Sequence, residues 1–294
     1  MARFFTILLH STLAAGATAG SAPAAGATPG REINWYLSAG QIANNAALVR
    51  FHRASITGAY LCCGFGHVAA NGSWSGVSQP TAAAQMAPFP NMSVWFVISV
   101  SNASIADANW GAGVASAAAL AAQLPGLTGY IVDYEPVTNY TDAHAAAYAA
   151  FLKALCAALG GHGLLCGMDV ADWTILGPRF WPHYVAAGVQ RFTSMTPTYN
   201  AANVTADRAF VAQALAQLPA GRYEAGLGST LGDAAACPMQ YRWTEATFAP
   251  FVAWMGGAGV RSLAVWRCDI DKQYPAPDPT APFVFGALEK YLAG

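Results

Sequence analysis

Leu127 to Pro136 reads LTGYIVDYEP, an apolar run that finishes in two carboxylates, Asp133 and Glu135. As a strand it alternates faces, with Gly129, Ile131, Asp133 and Glu135 on one side and Tyr130, Val132 and Tyr134 on the other. One face is greasy throughout. The other starts apolar and ends in two acids just before Pro136, which cannot continue a regular ladder. Carboxylates on a buried strand cost several kcal/mol unless something compensates, so about this stretch the question is what the acids are for. Catalysis is one answer.

Outward from this stretch the chain repeats a theme of short apolar strand, loop and alanine-rich helix. Strands are predicted at Ile33 to Leu37, Gly58 to Gly64, Ser93 to Val100, Gly129 to Glu135, Leu164 to Val170, Arg191 to Thr196, Tyr223 to Gly228 and Ser262 to Cys268. Helical patterns lie between them, with Thr141, Thr205 and Thr244 as N-caps and Gly160 and Pro219 as stops. Apolar strands alternating with helices indicate a parallel sheet covered on both faces. Eight such units over residues 32–294 predict a single-domain α/β fold, a (β/α)8 TIM barrel, since such barrels run to about 250 residues. An open doubly wound sheet is the alternative, but no G-x-G-x-x-G follows the first strand. In a barrel, sites form at the C-terminal ends of the strands, where the acids of the fourth strand fall.

The chain has 294 residues, 55% hydrophobic and 10% charged, with formal net charge −1. That charge excludes a nucleic-acid surface, which needs a basic patch. Residues 1–19 read as a signal peptide: Arg3, an apolar segment from Phe4 to Ala15, then the small-x-small triplet Ala17-Thr18-Ala19. The Ala/Gly/Pro-rich residues 20–31 read as a disordered spacer. Sequons at Asn71, Asn91, Asn102, Asn139 and Asn203 and six cysteines agree with a secreted, extracellular glycoprotein containing disulfides whose pairing is open. After signal cleavage no membrane association is expected, because no later stretch reads as apolar for long enough to span. A monomer is expected. The cysteines lack C-x-x-C spacing beside histidines, so no metal site is predicted.

The run T-G-Y-I-V-D-Y-E resembles the fourth-strand signature D-G-x-D-x-D-x-E of family-18 glycoside hydrolases, the chitinases and endo-β-N-acetylglucosaminidases. Gly129, Asp133 and Glu135 match, whereas Thr128 and Ile131 replace the first two aspartates. Met195 with Tyr199-Asn200 is similar to the family's M-x-Y-D, with two extra residues. Trp266, followed by Asp269 and Asp271, is similar to its eighth-strand tryptophan. The resemblance implies a hydrolase acting on an oligosaccharide or polysaccharide by substrate-assisted retaining catalysis, an exception to the two-carboxylate scheme. Glu135 would protonate the glycosidic oxygen while the substrate's 2-acetamido oxygen attacks the anomeric carbon. Asp133 would orient the acetamido group, Tyr199 would donate a hydrogen bond to it, and Trp266 would floor the sugar. No metal or organic cofactor is implied. The aspartate replaced by Ile131 would lie beneath Asp133 and share a proton with it, so that relay is lost.

Trp173 and Trp110 follow strand ends and could stack on sugar, and Asp169 and Asp172 could bind hydroxyls or cap the next segment. Trp95 and Trp254 read as core. Two other functions fit the same pattern: a non-catalytic chitin- or glycan-binding lectin on the barrel, and a family-25-like muramidase. The muramidase needs an acid on the first strand, for which only Glu32 is available.

Overall fold

A computed structural model describes residues 30–136, 141–196, 203–228, 243–266 and 282–294. Eight parallel strands close into a barrel: β1 (Glu32–Ser38), β2 (Gly58–Val68), β4 (Ser93–Val100), β5 (Leu127–Val132), β6 (Leu165–Val170), β7 (Arg191–Ser194), β8 (Tyr223–Gly228) and β9 (Ser262–Trp266). Each pairs with its neighbour in that order, and β1 pairs with both β2 and β9 to close the ring. The predicted α/β barrel is therefore present. Helices α1 (Ile42–His52), α2 (Gln79–Met86), α3 (Asn102–Ala106), α4 (Gly111–Ala121), α5 (Asp142–Gly160), α6 (Trp181–Ala186), α7 (Val204–Gln217), α8 (Glu245–Ala258) and α9 (Pro282–Ala293) complete the described elements.

The alternation along each strand sorts the side chains into two cores. Outward residues such as Phe96, Tyr130, Val132, Met168, Phe192 and Leu263 pack against helix residues such as Tyr148, Phe151 and Leu155. Inward residues Tyr36, Tyr60, Cys62, Trp95, Val97, Ile131 and Ala264 form a second, smaller cluster inside the barrel. Below it lies a polar plug. Glu224, wholly buried, accepts hydrogen bonds from Asn34 (2.8 Å), Ser262 (2.6 Å), Thr193 (2.8 Å) and Tyr60, and pairs with Arg191 at 3.3 Å. Arg191 also bridges to Glu32 at 2.8 Å and lies over the Trp95 ring. A buried charge satisfied this completely fixes the barrel interior rather than the mouth.

Several local expectations change. A hairpin strand, β3 (Trp74–Gly76), pairs antiparallel with an extension of β2 that reaches Val68 instead of stopping at Gly64. The strand continues past a register shift between Leu61 and Gly66, where Gly64 takes φ +106. β5 ends at Val132, not Glu135, although the Asp133 N–H still donates to the Ile98 carbonyl at 2.8 Å. Gly129 is required by its neighbour, since a Cβ there would lie 2.1 Å from the Leu165 carbonyl oxygen. The α7 cap is Asn203, accepting from the Ala206 N–H, and not Thr205, which sits inside the first turn. Thr141 and Thr244 cap α5 and α8 as expected.

Arg31, assigned above to the spacer, is anchored to the fold by a 2.6 Å bond to the Tyr291 carbonyl. Helix α5, contrary to the expectation above, is long and apolar enough by length and composition to cross a bilayer. Alanine explains its hydropathy, and its large residues Tyr148, Phe151, Leu152, Leu155 and Leu159 are buried against the barrel. A disulfide joins Cys156 on this helix to Cys166 on β6.

Candidate active site

The two acids leave the end of β5 on either side of Tyr134, and Tyr134 determines where they point. Its ring is buried outward among Tyr148 and His144, and its hydroxyl donates to Asn102 Oδ1 at 2.5 Å. With its single proton spent there, the hydroxyl accepts from His144 Nε2 at 2.7 Å, which assigns the proton to that nitrogen. Alternation then turns Asp133 and Glu135 inward, over the barrel mouth.

There they line a small cleft of about 60 Å³ with Tyr36, Cys62, Asp169, Met195 and Trp266. Asp133 and Glu135 face the same cleft, close enough for each carboxyl to influence the other's ionisation. Burial, followed by the Glu135 charge, raises the Asp133 carboxyl from 3.8 to about 7. Burial also raises Glu135, while the neighbouring Asp133 carboxyl pulls it back. Glu135 is nonetheless the exposed member of the pair, and Asp133 the deeper one, with its Oδ1 buried and unpartnered among the described residues. The arrangement thus sets an exposed carboxyl at the surface of a cleft, backed by a deeper one that burial keeps protonated up to about pH 7. Paired carboxyls of raised proton affinity are the kind of groups that general acid–base chemistry uses.

A larger hollow of about 460 Å³ adjoins the cleft and shares Asp133 with it. Its wall is the β2–β3 hairpin, through Gly64, Gly66, His67, Ser75 and Gly76, and its floor includes Val97 and Ser99. His67 Nδ1 and Ser99 Oγ are 2.8 Å apart. The Trp74 ring lies across Gly66 and Gly76, where any Cβ would strike it, so the hairpin needs glycine at both positions.

No family model matches the chain, and no curated protein matches it in sequence. Solved structures do match. A class V chitinase from Pseudomonas fluorescens Pf-5 superposes with a TM-score of 0.65 at 17% identity, over 89% of this chain and 99% of that one. A chitinase from Chromobacterium violaceum gives 0.63 at 16%, over 90% and 99%. A family-18 N-acetylglucosaminidase from Paenibacillus barengoltzii gives 0.61 at 11%, over 89% and 99%. The barrel is built like those of family-18 glycoside hydrolases. At these identities the likeness is one of fold.

Of the residues singled out in the sequence, Asp133, Glu135, Asp169, Met195 and Trp266 converge on the cleft. Tyr199 and Asn200 lie outside the described residues. Trp173 does not line the cleft; its ring is drawn to the helix-side core, the larger apolar surface available to it. Trp110 likewise packs against Phe151 at 5.9 Å, and Asp172 accepts from Thr196 at 3.2 Å. Trp95 is buried inside the barrel, and Trp254 stacks on Phe251. Tyr36 had not been singled out. It reaches the cleft from β1 and donates to Asp169 Oδ1 at 2.9 Å. Only its place on the inward face of the first strand could have pointed to it.

Proposed function

We propose that this protein is a secreted glycoside hydrolase that cleaves β-linked, N-acetylglucosamine-containing glycans of the chitin type. The observation that carries the reading is the adjacent Asp133–Glu135 pair in one cleft at the mouth of a barrel shaped like those of chitinases. Glu135, the exposed member of the pair, donates a proton to the leaving glycosidic oxygen. Asp133, half sunk beside it, orients the 2-acetamido group so that its oxygen attacks the anomeric carbon and the configuration is retained. Trp266 offers the sugar an apolar face, and Tyr199 donates to the acetamido oxygen. The hollow beside Asp133 has room for further sugar units, since ligand pockets start at about 300 Å³.

The muramidase reading loses its first-strand acid, because Glu32 is paired with Arg191 at the opposite end of the barrel. The lectin reading draws on Ile131, wholly buried in the apolar interior cluster where a proton-sharing acid would stand. Secretion is supported by the Cys156–Cys166 disulfide and by exposure of Asn71, Asn91, Asn102 and Asn203.

The test compares fluorogenic chitobioside with fluorogenic cellobioside, which lacks the acetamido group. Turnover of the first alone supports substrate assistance. Equal turnover of both contradicts it, and saturable binding of chitin oligomers without turnover makes the protein a lectin.

A further inference from the structure

Three carboxyl groups face the cleft, yet no described cation joins them. Arg191, a cation of the barrel interior, is engaged one layer down by Glu32 and Glu224. The third acid is Asp169, only 3% exposed. The register of β5 on β6 pairs Ile131 with Gly167 and Val132 with Met168. Two residues beyond Ile131 and Gly167 come Asp133 and Asp169, which continue the inward face of neighbouring strands and line the same cleft. Gly167 leaves the space beneath them to Ile131, whose Cδ1 lies where a Cβ on Gly167 would stand, 2.4 Å away.

Resting on the reading of Glu135 as acid and Asp133 as orienting carboxylate, we propose that Asp169 is a positioning residue that keeps a proton at working pH and presents it to Asp133 from the neighbouring strand. It does so in place of an acid at position 131. Tyr36 donates to Asp169 Oδ1, so the proton belongs on the other oxygen. The buried Oδ1 of Asp133 has no partner among the described residues and is the acceptor open to that proton after a side-chain rotation. With a neutral acid donating to it, Asp133 ionises more readily and so takes up the negative charge that the acetamido group needs.

The groups facing Asp169 are consistent with a neutral carboxyl. They are Tyr36 from β1, Asp133 and Glu135 beyond β5, Glu224 from β8 and Tyr148 from α5, none of them a cation. Burial first, then the charge of Asp133, holds its carboxyl well above the ordinary range, and the Tyr36 hydrogen bond, which favours the charged form, does not cancel that rise.

The experiment compares Asp169→Asn, whose amide can still donate to Asp133, with Asp169→Leu, which cannot. In chitobioside hydrolysis, Asp169→Leu is expected to lower kcat about 100-fold with KM within about threefold, as for loss of an outer-shell hydrogen bond. Its acid limb in the pH–kcat profile should move upward, because Asp133 ionises less readily without a donor. Asp169→Asn should stay within about tenfold of wild type, with the limb in place. A role confined to packing would leave the limb unmoved in both. An unmoved limb in Asp169→Leu, or an equal loss in Asp169→Asn, overturns the proposal.

Infrared spectroscopy decides without turnover. At about pH 7, where ordinary carboxyls are ionised, wild type should show a protonated-carboxyl carbonyl band that is weaker in Asp169→Asn. Absence of that band in wild type overturns the proposal. If wild type turns over no glycan, the function proposed above fails, and the infrared result still decides on Asp169.

Discussion

Replacing Asp133 by asparagine should stabilise the protein, and by an amount that depends on pH. The carboxyl is raised from 3.8 to about 7, burial being the larger cause and Glu135 the next. A group whose folded-state pKa lies above its unfolded value favours folding while protonated. That contribution is complete below about pH 4 and is lost as pH rises through about 7. At about 1.4 kcal/mol for each tenfold change in proton affinity, the full loss is about 4 kcal/mol. Asp133 is partly open to the cleft, so about half of this, roughly 2 kcal/mol, is the expected size. Asparagine cannot ionise and escapes the loss. Urea unfolding at about pH 4.5 and pH 8 should therefore give near-equal midpoints for wild type and Asp133→Asn at the lower pH, and a variant about 2 kcal/mol more stable at the higher. Equal stability at pH 8, or a variant that is weaker there, refutes the placement of Asp133 as a buried member of an acid pair.

Three other outcomes follow from the packing. Glu224→Leu leaves four polar partners and Arg191 facing a hydrocarbon, and should cost about 3–5 kcal/mol in urea unfolding; a loss below about 1 kcal/mol would show that the plug is dispensable. Tyr134→Phe strands Asn102 and His144 and should cost about 1–3 kcal/mol, with a fall in kcat if Tyr134 sets the direction of the acids. Reducing the Cys156–Cys166 bridge, or replacing both cysteines by alanine, reopens a loop with a sequence separation of 10 and should cost about 3 kcal/mol of stability.

The barrel was legible because strands buried on both faces read as short apolar runs, and all eight runs became barrel strands. The ends of the strands were not. β5 stops at Val132 because pairing depends on where its neighbours stop, which alternation within one strand does not record. The β3 hairpin escaped notice because CCGFGHV, residues 62–68, offers glycines and a register shift in place of an apolar run. Two capping residues two apart, Asn203 and Thr205, gave no local reason to prefer the first.

The acids Asp133 and Glu135 could be placed from strand order, and Trp266 from its similarity to the eighth-strand tryptophan of family-18 glycoside hydrolases. The link from Tyr36 to Asp169 spans 133 positions and exists only because the sheet closes. Glu224 was hidden for the same reason: its four hydrogen-bonding partners come from four other strands. Ile131 kept its face but changed its meaning, from a missing acid to the apolar floor that separates the mouth carboxyls from the plug.

The account turns on Glu135 as the proton donor, and the most direct measurement is hydrolysis of fluorogenic chitobioside by wild type and by Glu135→Gln. Loss of a general acid predicts a fall in kcat of about 100-fold or more, with KM little changed. Equal rates in the two proteins would contradict it.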